Sequence, residues 1–208
     1  FLGLLADWNH LQAELEIRVC EAVAAEFSAA CRGYIAQRRD YRFVSAAALS
    51  SGDASRLDVS ISLCEPLSRL RAELRGMRAT LPPASLRRVW LATATAIDDL
   101  LYTQVVRRSS FSSSGVLQLQ RDVGALAALF QPLCSPHKAP LQRLNECCRL
   151  LSLDATVRTE LLTVLLTDTP EHSHRAEHES HMRRQLESVS VFRISVGEAV
   201  EVLACLQE

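Results

Sequence analysis

Apolar residues recur at helical spacing along most of the chain, and the clearest example lies between residues 111 and 130. Three serines and then Gly115 provide a start signal, and the polar residues Gln118 and Asp122 lie one turn apart inside the stretch. The apolar positions follow the i, i+3, i+4, i+7 pattern of a half-buried helix and are Val116, Leu119, Val123, Leu126, Leu129 and Phe130. The pattern predicts a helix that is central to the fold.

The beginning of the chain keeps the same period from Leu4 to Tyr34, with no proline in between. It predicts a long leading helix over residues 1–40, and a helix of about 35 residues would be about 50 Å long. Such a length is usual in a helical rod and unusual in a compact globule. Because the chain begins with Phe1 and is already in helical rhythm at Leu4, we expect that an N-terminal part precedes it.

Proline-containing breaks divide the rest of the chain into two groups of helices. Central helices are predicted over residues 55–133, and terminal helices over residues 139–208. The most polar segment, residues 167–188, is predicted to be a loop or a poorly packed helix. The sequence therefore predicts one all-α module, residues 1–208, of six to seven antiparallel helices that form either a stacked rod or a compact bundle.

Several helix ends carry recognisable signals. Asp58 or Ser55 can cap the first central helix, and Pro66 either kinks that helix or marks its first turn. The last helix is predicted to start with a capping box formed by Ser195 and Glu198.

Composition agrees with a helical protein and excludes several classes of partner. Hydrophobic residues make up 48% of the chain and aromatic residues 5%, and glycine and proline number only seven each. The net charge of −1 gives no global attraction to nucleic acid or to anionic lipid. No apolar run reaches the roughly 18 residues of a membrane span. We therefore expect no nucleic-acid partner and no direct membrane span.

The chain has seven cysteines, an odd number, and no CxxC pair. They are interpreted as free thiols of a protein in a reducing compartment, mostly buried as small hydrophobic residues. Cys134 is placed in a loop, and the cysteines placed on or beside apolar helix faces are Cys20, Cys31, Cys64, Cys147, Cys148 and Cys205.

The sequence contains no motif that indicates an enzyme. No phosphate-binding glycine loop, metalloprotease motif, nucleophile elbow or kinase signature is present. Asp98 and Asp99 are adjacent carboxylates, but neighbouring positions on a helix point about 100° apart and do not converge as an acid and base pair. No catalytic or cofactor-binding residue is assigned, no cofactor is expected, and the chain is predicted not to be an enzyme.

Four histidines, His172, His174, His178 and His181, lie in the polar segment beside glutamates. If the segment is helical, the last three share one face, as zinc ligands can. No apolar shell surrounds them in the sequence to orient the rings, so surface histidines are the favoured interpretation and no metal ligand is assigned. A helical metal protein or enzyme remains an alternative.

A basic stretch follows Pro66 and comprises Arg69, Arg71, Arg75 and Arg78. It is interpreted either as a solvated face paired with Glu73 or as a surface for an acidic partner.

Residues 111–122 resemble a motif in the C-terminal region of the RINT/TIP family, whose members are subunits of the Dsl tethering complex, called NRZ in animals. The matching residues, here a structural motif, are Phe111, Gly115, Gln118, Leu119 and Asp122. Ser113 and Ser114 depart from the acidic residue and glycine that are usual there. Residues 31–34, 144–153 and 191–206 are similar to further elements of that family in the same order.

The resemblance implies a stacked helical bundle of the CATCHR class, here the end of a rod, without catalytic activity. It implies a subunit that acts in Golgi-to-ER retrograde vesicle transport and is peripheral on the cytosolic face of the endoplasmic reticulum. The implied partners are other tether subunits and ER SNAREs. No partner-binding residue is assigned. Other helical scaffolds, such as exocyst, COG or GARP subunits, remain the alternative.

Overall fold

The computed structural model describes residues 2–37, 41, 58–133, 140–166 and 175–206. Within these ranges the chain is helical, with no β-strand beyond one isolated bridge, and the all-α prediction is confirmed. The described residues form nine α-helices, which are α1 Leu2–Ala30, α2 Arg32–Ala36, α3 Ile61–Thr80, α4 Pro83–Gln104, α5 Ser113–Phe130, α6 Gln142–Leu151, α7 Ala155–Leu166, α8 Arg175–Ser188 and α9 Val196–Ala204.

The helices pack on one continuous apolar core. The long helix α1 lies against α4 and α3, while α5 packs on α6 and also contacts α3. Helix α6 contacts α4 and α9, and α9 contacts α7 and α8 in turn. The core is built mainly of Leu and Val, as the composition suggests, but it contains more aromatic residues than alanines. One of these is Trp90, whose indole N–H donates to the carbonyl of Phe130 at 2.9 Å and so joins α4 to the end of α5.

More helices are present than the six to seven predicted, and both additions have a local cause. The leading helix predicted over residues 1–40 is divided at Cys31, where α1 ends and the short α2 begins; residues 38–40 lie outside the described ranges. The polar segment, predicted to be a loop or a poorly packed helix, contains α8. Met182 and Leu186, one turn apart, are both buried and give α8 a narrow apolar face that the polar composition obscured.

The first central helix begins at a residue that the sequence did not indicate. Its N-cap is Ser60, whereas Asp58 lies before the cap and Ser55 lies outside the described residues. Ser60 makes no side-chain cap bond; its hydroxyl instead points to Asp122 and donates to it at 2.7 Å. Pro66 is buried in the interior of α3, not in its first turn. The capping box of Ser195 and Glu198 at the start of α9 is confirmed.

We expect a charge in the apolar face of α5 to unfold the module. Leu119 and Leu126 are 2% and 1% exposed, so Leu119→Asp or Leu126→Asp buries an unpaired carboxylate and should lower the free energy of unfolding by about 4 kcal/mol or more. Ala128→Asp on the exposed face of α5 is the control and should cost less than about 1 kcal/mol. Thermal unfolding measures all three, and a core variant that melts within a few degrees of the wild type would show that α5 is peripheral.

Candidate functional site

Two residues of the sequence motif, Gln118 and Asp122, belong to a buried polar cluster. We call it the Asp122 junction, and it comprises Tyr34, Tyr41, Ser60, Gln118 and Asp122. The Asp122 side chain is 1% exposed. Its Oδ1 accepts hydrogen bonds from the Ser60 backbone N–H at 2.8 Å and from Gln118 Nε2 at 3.2 Å. Its Oδ2 accepts from the Tyr34 hydroxyl at 3.0 Å and from Ser60 Oγ at 2.7 Å. The Tyr41 hydroxyl lies 3.1 Å from Oδ2 and also contacts the Tyr34 hydroxyl.

The junction joins three parts of the chain that are distant in sequence. Tyr34 belongs to α2, Ser60 precedes α3, and Asp122 lies in α5. Gln118 strengthens the same contact because its Nε2 also donates to the carbonyl of Asp58 at 2.9 Å. Burial, followed by the nearby charges, raises the pKa of Tyr34 well above its usual value, so its hydroxyl stays protonated and can donate. The buried carboxylate is therefore fully hydrogen-bonded, which its burial requires.

The start of α5 packs directly on the backbone of Tyr41. The N–H and the hydroxyl of Ser112 both donate to the Tyr41 carbonyl, at 3.2 and 3.1 Å. The Phe111 ring, fully buried, lies 5.2 Å from the Tyr41 ring, centroid to centroid. A Cβ atom on Gly115 would lie 1.9 Å from the Tyr41 carbonyl oxygen, so only glycine fits there. The motif residues thus hold the fold together and do not line a cleft.

The adjacent carboxylates Asp98 and Asp99 diverge, as their spacing predicts. Asp98 is buried and accepts hydrogen bonds from the backbone N–H groups of Arg143 and Leu144, both at 2.9 Å, at the start of α6. It supplies the cap that Leu141, the N-cap residue of α6, does not. Burial raises the pKa of Asp98 to about 6. Asp99 instead pairs with the Arg143 guanidinium at 2.8 Å.

The Arg143 guanidinium connects three helices. Besides its pair with Asp99 on α4, it forms an ion pair with Glu198 on α9, and it lies 3.9 Å from the centre of the Tyr102 ring. This geometry combines charge pairing with a cation–π contact and places Arg143 in a structural role.

A third buried carboxylate, Glu146 on α6, was not recognised in the sequence. It accepts hydrogen bonds from the backbone N–H groups of Phe192, Arg193 and Ile194 at 2.8–3.0 Å. These residues lie between α8 and α9, so Glu146 holds the connection before the last helix. The only signal was a carboxylate within the apolar sequence of residues 144–151.

The described cysteines are free thiols, and most are core residues as predicted. Burial raises the pKa of Cys31 and of Cys148 to about 12, and raises that of Cys147 as well, so these thiols remain protonated and unreactive. Cys64 is exposed on α3 and is therefore not a core residue. Cys134 lies outside the described residues.

Two of the four histidines of the polar segment lie in described residues. His172 and His174 lie outside the described residues, and His178 and His181 lie in α8. Among the residues that are described, no group of three or more His, Cys, Asp or Glu side chains could hold a metal ion. The described helices also include none that is long and apolar enough to cross a membrane.

Exposed apolar side chains are concentrated in the first half of α1. We define the α1 stripe as Leu4, Trp8, Leu11 and Leu15, which are 73%, 66%, 47% and 51% exposed. They follow the helical spacing that continues into the buried part of α1. Next to the last three lies a groove of 360 Å³, which is also lined by Leu81 and Pro82 in the turn between α3 and α4. The sequence predicted the apolar face but not its exposure, because that depends on where the neighbouring helices end.

We expect that any side chain at position 115 disrupts the contact with Tyr41. Gly115→Ala should lower the free energy of unfolding by more than about 2 kcal/mol, because the added methyl group meets backbone and cannot be accommodated by a side-chain rotation. Gly124→Ala is the matched control in the same helix, where a Cβ atom has no neighbour within 4 Å. It should stabilise the protein by about 0.5–1 kcal/mol. Equal urea midpoints for the two variants would contradict this description of the junction.

The comparisons with known proteins identify a family. Residues 1–205, nearly the whole chain, match the model of the RINT-1/TIP-1 family. Comparisons with curated proteins and with solved structures found no significant match. The match covers the Asp122 junction and all nine helices of the described ranges. The chain therefore belongs to the RINT-1/TIP-1 family, whose members are tethering-complex subunits.

Proposed function

We propose that the chain is a non-catalytic part of a complex that tethers vesicles in Golgi-to-ER retrograde transport. It works as a peripheral component at the cytosolic face of the endoplasmic reticulum and binds other tether subunits and ER SNAREs. Family membership supports the role in tethering. A module of this kind acts by presenting binding surfaces in a fixed geometry, and no bond of a substrate is made or broken.

The observation that carries the proposal is the α1 stripe. Large apolar side chains at i, i+3, i+4 and i+7 positions are the usual means by which one helix binds another. On the same face of α1, Val23 and Phe27 are buried in the core. The face that packs inside the protein therefore continues outward, and the exposed part has the same spacing. We assign it to a helix of another tether subunit.

Polar contacts hold the exposed part of α1 in place. Glu16 forms an ion pair with Arg88 at 2.6 Å, and Gln12 Nε2 donates to Ser85 Oγ at 2.9 Å. Both partners lie in the first two turns of α4. The Arg88 hydrogen bond lowers the pKa of Glu16 to about 2, so the pair persists at neutral pH. A partner helix on the stripe would lie beyond these contacts and meet the turn at Leu81 and Pro82.

The family match favours this proposal over the alternative of an exocyst, COG or GARP subunit, because residues 1–205 match the RINT-1/TIP-1 model. The family match also favours the tethering function over a metal-dependent enzyme whose ligands would come from the histidines of the polar segment.

The proposal is tested with the intact protein, purified tether subunits and the purified N-terminal domains of ER SNAREs. We expect direct binding of both. The double variant Leu4→Asp and Trp8→Asp should weaken subunit binding at least tenfold, roughly 1.4 kcal/mol or more, and leave the melting temperature unchanged because both side chains are exposed.

A matched control places the same charges on exposed apolar residues elsewhere. Ile61 and Phe192 are 91% and 56% exposed, and Ile61→Asp with Phe192→Asp should leave binding within twofold of the wild type. Equal loss by both double variants would contradict the assignment of the stripe. Failure of the wild type to bind any of these partners would contradict the proposed function itself.

A further inference from the structure

Three arginines of α3 form a single exposed line, which we call the α3 ridge: Arg71, Arg75 and Arg78. They occupy positions i, i+4 and i+7 and therefore lie on one face of the helix, over a rise of about 10 Å. Leu74 and Met77, each one position before a ridge arginine and about 100° from it around the helix, are buried in the core. The direction in which the ridge faces is thus set by the packing of α3.

The ridge arginines have no counter-charge, unlike six other arginines of the described chain that form ion pairs. Ion pairs join Arg18 to Glu14, Arg69 to Glu65, Arg88 to Glu16, Arg107 to Glu201, Arg143 to Asp99, and Arg183 to Glu187. Within the described residues, no carboxylate pairs with any arginine of the ridge.

Glu73, which the sequence suggested as the ion-pair partner of these arginines, does not pair with them. Glu73 is two positions from both Arg71 and Arg75, so it points to the other side of the helix. It forms no ion pair with them, and the neighbouring Arg69 pairs instead with Glu65, one turn before it, at 2.6 Å. The interpretation of this face as charges balanced by Glu73 was therefore wrong.

The arrangement is unfavourable for the chain by itself. Like charges at i, i+3 and i, i+4 repel each other, and here the repulsion is not offset by a nearby carboxylate. The net charge of −1 shows that the basic character is local and does not reflect a basic protein. Arginine also forms bidentate hydrogen bonds with carboxylates, which suits it to bind an acidic protein surface.

We propose that the α3 ridge is the docking site for an acidic helix of the SNARE domain that this chain is proposed to bind. The inference rests on the proposed function. Carboxylates at the same i, i+4, i+7 spacing on a partner helix would face the three guanidinium groups in register. A membrane surface fits less well, because the net charge of −1 gives the chain no global attraction to anionic lipid.

The experiment measures binding of the intact protein to purified N-terminal domains of ER SNAREs by titration calorimetry, at low and at moderate salt. The ridge variant is Arg75→Glu with Arg78→Glu. The control, Arg108→Glu with Arg184→Glu, makes the same change in charge at exposed positions on other elements. We expect the ridge variant to bind at least tenfold more weakly and the control to stay within twofold. Wild-type affinity should fall as salt rises.

Each other outcome overturns the inference in its own way. If the ridge variant and the control bind with equal affinity, the ridge is not the docking site, and the proposed function still stands. A wild type that binds no SNARE domain would contradict both the docking site and the proposed SNARE binding. Ridge-dependent binding to phosphatidylserine vesicles, with SNARE binding unchanged, would assign the ridge to a membrane surface instead. Thermal unfolding of both variants confirms that each is folded.

Discussion

A charged carboxylate buried in a protein must find its hydrogen-bond donors within the fold, and much of this structure depends on how Asp122 does so. Its donors come from α2, from Tyr41 and from the residue before α3, so the carboxylate can be satisfied only when these segments occupy their places. Apolar packing alone would permit many arrangements of leucine-rich helices. The buried carboxylate of Asp122 needs hydrogen-bond donors, and only an arrangement that supplies them is stable.

The same device recurs at two other connections. Asp98 binds the backbone N–H groups at the start of α6, and Glu146 binds those of the segment that leads to α9. In each case a carboxylate on one helix binds backbone N–H groups of another part of the chain, at the first turn of α6 or just before α9. The helices thus gain a defined order and orientation although few aromatic residues are available to shape the core.

Such rigidity suits a tethering subunit, whose binding surfaces must keep their relative positions. The α1 stripe and the α3 ridge lie on helices that pack against each other, and both are anchored in the common core. One surface is apolar and the other basic, so the two suit partners of different chemistry. The candidate binding side chains lie on the surface of the module, whereas its buried polar groups stabilise the fold.

Helical periodicity was sufficient to predict the fold class and most helices, because a helix with one buried face has apolar residues every three to four positions in the sequence. Leu119 and Asp122 were recognised within α5, but the partners of Asp122 were not, since Tyr34 and Ser60 are far away in sequence. Ser60 was missed as a cap because a tertiary contact determines its role. Glu146 gave no periodic signal. The exposure of Trp8 depends on where α3 and α4 end, which periodicity does not specify.

Hydrogen exchange of the Ser60 amide, measured in the wild type and in Asp122→Asn, tests the central claim most directly. The substituted amide turns an NH₂ group toward the donors of the junction, so the account predicts a loss of roughly 3 kcal/mol in stability and a large loss of protection at Ser60. Unchanged protection at Ser60, with stability within about 0.5 kcal/mol of the wild type, would show that the buried carboxylate does not hold these helices together.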